Sequence, residues 1–415
     1  SGTSKSTISA DVRVIYNQTR IFNVGSTGDP SGTDLLISGK IGHYNGNSWG
    51  YFEKTGAGTM KITGVNEVGA ITVTSGKLIL ENGAIGAMHV NGLVNNNLAE
   101  LSVTTGNTIN WDNNSFRGTG TYNKTGAGTL NTTSFSSSNG NQTAVILDGG
   151  TLHMTGGHNN YWSVNNTIIN SGARLSNNTH SHIQAITLNG GELASTGTDY
   201  SWGGWMLDQD VSVIGTGTSV ISADRVAVAN ASNVSRVFTV AGTATLNVPG
   251  KFEDAATTTN NGMTKAGAGT MILSGNNSYT GTTTINNGLV ISQNGTGIPD
   301  LSTVYIADLA TAELQITATE QVGLLTGGGT SGGNIIVASG ATLTTGNNDG
   351  SGSYDGIISG SNVSLNKRGG GTQTLTGDNT FSGGVTIQNG TLAVSSVTTV
   401  GLTQPLGMGS GPILF

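Results

Sequence analysis

The chain has no cysteine among its 415 residues, which excludes a disulfide framework and thiolate metal sites. Charge is scarce too. Asp, Glu, Lys and Arg make up 9%, against about 25% in ordinary globular proteins. The net charge of −7 is spread thinly, and the densest basic cluster is the pair Lys367-Arg368. Nucleic acid is therefore not an expected partner, because phosphate binding depends on clustered Lys and Arg. Only 5 prolines accompany 67 glycines, so collagen, which needs proline and a strict triplet, is ruled out. No apolar run approaches the roughly 18 residues of a membrane helix, and no span is expected in this segment. Ser1-Gly2-Thr3-Ser4 carries no basic-then-apolar leader and reads as a mature or trimmed start.

What is present is regularity. Hydrophobic residues reach 35%, enough for a core if they recur in order, and disordered chains are both apolar-poor and strongly charged. One sentence is written twice, as KAGAGTMILSGNNSYTGTTTINNGLV at 265–290 and KRGGGTQTLTGDNTFSGGVTIQNGTL at 367–392. Each copy opens with a lysine and a glycine cluster, passes through a short strand, and reaches Gly-Asn/Asp-Asn-x-aromatic-x-Gly. A second strand and Asn-Gly close it. The opening phrase stands twice more, as KTGAGTM at 54–60 and KTGAGTL at 124–130. Self-similarity over such distances means a repeat architecture.

Between the long repeats, a glycine turn followed by an apolar strand start recurs at Gly76-Lys77-Leu78, Gly150-Thr151-Leu152, Gly172-Ala173-Arg174-Leu175 and Gly191-Glu192-Leu193. Where these follow closely, the spacing is near 20 residues, about one turn of a β-helix. Strands led by β-branched residues dominate, among them Ile71–Thr74, Val237–Val240 and Asn334–Val337. Ala307–Gln321 is rich in Ala, Leu and Glu, yet Ala312, Leu314, Ile316 and Ala318 alternate with polar residues, so a strand is expected there as well. A coil of that length has no core and leaves its backbone unpaired. Stacked about 4.8 Å from a neighbour, it pairs on both sides and points alternate side chains into a shared apolar column. The expectation is an all-β solenoid, residues 1–415 forming one continuous β-helix within a longer chain.

The phrases Lys265-x-Gly267-x-Gly269-Thr270 and Leu273-Ser-Gly-Asn-Asn-Ser-Tyr-Thr-Gly281, with their second copies at 367–372 and 375–383, resemble the passenger-associated transport repeat of bacterial autotransporter passengers. That resemblance implies a right-handed parallel β-helix, secretion, and a place outside the outer membrane. It carries no catalytic residues to transfer.

The Lys-Thr-Gly-Ala-Gly-Thr phrase is not a phosphate loop, which ends in Gly-Lys-Ser/Thr and enters a helix. Gly329-Thr330-Ser331-Gly332-Gly333 has the glycines of a serine nucleophile's surroundings but no His and Asp in recognisable contexts, so a turn is expected. His180 and His182 would share a strand face, but two imidazoles lack a third ligand, and an exposed loop is expected. Asp349 and Asp355 miss the nonapeptide pattern of calcium-binding rolls. Trp202, Trp205, Asp208 and Asp210 form the one weak glycan-contact candidate: aromatic faces beside carboxylates suit sugars, and the two acids would point to one strand face.

No catalytic residue, cofactor or metal follows from the sequence. The expected function is a non-enzymatic extracellular rod of a bacterial surface or matrix, structural or adhesive, with glycans, other surface proteins or copies of itself (end to end or side by side) as partners. A self-assembling filament subunit and a β-helical polysaccharide hydrolase or lyase are the alternatives.

Overall fold

The computed structural model describes residues 4–15, 17–43, 50–85, 92–111, 116–132, 144–155, 160–162, 164, 166–195 and 204–415. Two compact units divide the chain: Ser1–Thr187 with Gly191–Asp199, and Leu188–Gly190 with Tyr200–Phe415. Each is a parallel β-solenoid. Apart from one 3-10 turn at Asn82–Ala84, regular structure among the described residues is strand.

In the first unit, three long parallel ladders form most of the walls, beside shorter pairings of Val12–Val14 with Ile41–His43 and of Asn160–Trp162 with Ser181–Ile183. One runs from Thr19–Asn23 through Tyr51–Thr55, Ala70–Val73 and Gly92–Asn95 to Phe116–Arg117. A second includes Thr59–Ile62, Lys77–Glu81, Leu98–Ser102, Thr121–Thr125 and Ala144–Leu147. The third stacks Thr108–Trp111, Thr129–Thr132, Gly150–Met154, Ala173–Asn177 and Glu192–Ser195. Register puts Leu130, Leu152, Leu175 and Leu193 in one file, each at most 1% exposed.

The second unit repeats the plan. Leu246, Met271, Val290, Leu314, Ile335 and Ile358 pair in succession, and all six are fully buried. At about 1.5–3 kcal/mol per buried aliphatic side chain, such a file is the main source of cohesion between coils. The strand expected near Ala312 is Glu313–Ile316, with Leu314 and Ile316 inward. From Glu320–Gln321 onward a further ladder, through Thr342–Thr345 and Ser364–Lys367 to Val385–Ile387, lines this unit.

Coils are unequal in length. Met60 pairs with Leu78, 18 residues on, whereas Phe238 pairs with Lys265, 27 on. The spare residues go into corners, because the walls must stay in register for the files to remain dry. Outward positions carry polar ladders between coils, such as Asn123 donating to Asp148 at 2.7 Å and the ion pairs Lys61–Glu81 and Lys77–Glu100. Exposed pairs of that kind add roughly 0–1 kcal/mol each.

Candidate functional site

The residue that opens every repeat phrase points inward. Lys54, Lys124 and Lys265 stand next to last in their strands and Lys367 last, all at core positions and at most 2% exposed. Lys265 stands in the file between Phe238 and Ile285. Its Nζ donates to the carbonyls of Ala266 (3.1 Å), Gly267 (2.6 Å) and Asn287 (2.9 Å). Lys54 does the same with Thr55, Gly56 and Ser75, Lys124 with Gly126, Gly128 and Gly149, and Lys367 with Arg368, Gly369 and Asn389. In each set the last carbonyl belongs to the next coil. A single ammonium thus closes its own corner and staples it to the following one.

The glycines make this approach possible. Gly267 has φ +74°, and a Cβ there would lie 2.3 Å from the Val240 carbonyl of the coil below. Gly288, on the next coil, has φ +78° and would put a Cβ 2.6 Å from the Lys265 Nζ. Lysine, glycine cluster and closing Asn-Gly are one device. Burial pulls the Lys124 and Lys265 amines down to about 8. The three accepting carbonyls favour the charged form and oppose that pull. Phosphate binding has no place here, since the ammonium's three donors are spent on the chain itself.

A second device follows half a coil later. Asn277 accepts from the Phe252 N–H of the preceding coil at 2.7 Å and donates to the Gly297 carbonyl of the following coil at 2.7 Å. Asn379 repeats this with the Ile358 N–H and the Pro405 carbonyl. Both are buried, as are the aromatics two residues on, Tyr279 and Phe381. The Tyr279 hydroxyl lies 2.6 Å from Thr283 Oγ1. The double asparagine was legible as a motif, but its bridging of three coils was not. Gln373 and Glu320 are further buried polar groups on inward positions. Gln373 exchanges bonds with both backbone groups of Leu325. Ser292 donates to the Glu320 carboxyl, and burial pushes that carboxyl up to about 7.

Other sequence candidates take structural roles. Ser331 and Gly332 donate their N–H groups to one carboxylate oxygen of Asp308, at 2.7 and 3.0 Å, so the glycine loop is wound on an aspartate. His180 and His182 are 2% and 4% exposed, with ring centroids 5.1 Å apart, edge to face. The exposed-loop expectation fails there because both rings pack inward. Asp349 accepts from the Gly370 N–H, and Asp355 from the Ser353 and Thr376 hydroxyls. Among the described residues no group of three His, Asp or Glu is placed to hold a metal.

Trp202 lies outside the described residues. Trp205 is fully buried in Trp205–Leu207, so its indole belongs to the core. Asp208 and Asp210 do not share a strand: that strand ends at Leu207 and the next begins at Val211. Asp208 is half-buried and Asp210 exposed. Asp210 accepts from the Val237 N–H at 2.9 Å, and both acids act electrostatically on Arg236. That arginine donates to the Leu207 and Val228 carbonyls.

The repeat phrases have counterparts in known sequences. The passenger-associated-transport-repeat family model matches residues 52–80, 263–291 and 365–394. The chain is also 37% identical, over 150 residues, to the "Adhesin BmaC autotransporter" of Brucella suis biovar 1 (strain 1330). That alignment covers 35% of this chain and 4% of the relative's length. No solved structure matches the chain.

Proposed function

We propose that this chain is a non-enzymatic, adhesive part of a bacterial surface protein. The repeats and the adhesin relative place it at the cell surface or outside it. The observation that carries the reading is the lysine staple, present in all three matched segments. It spends charge and glycine on locking coil to coil. Such a protein acts by geometry: a locked stack holds its corner loops at fixed positions and presents them to a partner.

Beads coated with the purified chain should adhere to host-cell monolayers more than albumin-coated beads, and equal adherence would refute the reading. A glycan-cleaving activity lost in Asp208→Ala and Asp210→Ala would overturn the non-enzymatic part. The same proposal takes residues 1–415 as one continuous stack, and small-angle scattering that fits two independently moving bodies would contradict it.

A further inference from the structure

The first full repeat carries a cleft of about 440 Å³. It lies between the corner of one coil, at 276–280, and that of the next, at 295–301. Its floor is apolar, made by the buried Tyr279 and Ile298. Leu301, 58% exposed, stands at its edge as an apolar wall. Polar groups complete the rim. The side chains of Asn276 and Ser278 are exposed, and Asp300 spends one carboxylate oxygen on Gln321 at 3.0 Å, leaving the other to solvent.

We propose that this cleft binds a neutral saccharide. A sugar ring has an apolar face, edged by hydroxyls that both donate and accept. The cleft offers an apolar floor and wall, the Asn276 amide, the hydroxyls of Ser278, Thr280 and Thr296, and one carboxylate oxygen, which is the complement of such a ring. Its volume falls within the range of about 300–1,000 Å³ usual for small-ligand sites. Charge argues in the same direction. The one carboxylate on the rim is joined through Gln321 to Arg368, so neither a polyanion nor a polycation finds an excess of opposite charge. The asparagine staple beneath, Asn277 to Phe252 and Gly297, fixes both corners and so pre-shapes the cleft.

This deepens the adhesive reading and rests on it for its biological sense. The full chain should be titrated with cellobiose, chitobiose and lactose by calorimetry and saturation-transfer NMR, with spermine and dextran sulfate as charged probes. At least one neutral sugar should bind saturably, and Asp300→Ala and Leu301→Arg should each weaken it tenfold or more. Both positions are exposed, so the fold is expected to survive, which circular dichroism checks. No saturable binding by any of the three sugars, binding unchanged in both variants, or preference for a charged probe would each overturn the proposal. Saccharide binding without bead adhesion refutes the adhesive reading alone, whereas bead adhesion without saccharide binding refutes the cleft alone.

Discussion

Replacing Lys265 by methionine isolates what one staple contributes. Methionine nearly matches the stem in volume, so packing in the file between Phe238 and Ile285 is conserved. The ammonium is lost, and the carbonyls of Ala266, Gly267 and Asn287 lose a donor. A buried acceptor left unsatisfied costs roughly 1–3 kcal/mol. These three sit at a partly wet corner, so the lower limit applies to each, about 3 kcal/mol together. Release of an ammonium from a buried site returns part of that. A net loss of about 2 kcal/mol is expected from urea unfolding at pH 7. Faster amide exchange should appear at Gly269 and Leu289, the N–H groups flanking the corner.

The control is Lys251→Met. That lysine is partly exposed and pairs with Glu253, which keeps Arg225; its loss should stay below about 1 kcal/mol. The pH dependence has a definite sign. The folded amine titrates at about 8 and the unfolded one near 10.4. Between these values the unfolded chain binds more protons, so wild-type stability rises with pH there. Methionine removes that rise, and the gap between the two proteins should widen from pH 8 upward. Equal unfolding at pH 7, with unchanged exchange at Gly269, would refute the staple.

Asn277→Ala and Asn379→Ala should each lose about 2–4 kcal/mol by thermal unfolding, because two buried backbone groups on different coils are left unpaired. Gly288→Ala should be strongly destabilising, since its Cβ would lie 2.4 Å from the Gly269 carbonyl at a positive φ, whereas Gly242→Ala, with open space around it, should be nearly neutral. Glu320 titrates at about 7 in the folded chain against an ordinary 4.5, so the folded state binds the extra proton. Its contribution is intact below pH 4.5 and is lost as pH rises through 7. Glu320→Gln should flatten the stability curve across that window.

Much of the fold was readable because β-solenoids are local in period. The alternation around Leu314 and Ile316 named a strand where composition alone hinted at helix, and β-branched runs such as Asn334–Val337 match strands residue for residue. The Gly-x-Gly corners and the lysine before them were visible as one phrase. Their purpose was not, because the third carbonyl under each lysine lies about one coil further along the chain. The same holds for the histidine pair and for Asp208 and Asp210. Residues two apart share a face only while the strand lasts, and Trp205–Leu207 stops first.

The β-solenoid architecture, the corner positions and the apolar files are consequences of periods written within a few dozen residues, and are legible there. Packing between coils sets which polar side chains turn inward, what they bond, and where a corner stands open as the 276–301 cleft. Those outcomes depend on the register between coils of unequal length. Register is fixed by whole ladders of backbone bonds and buried files together, so no single stretch of chain specifies it.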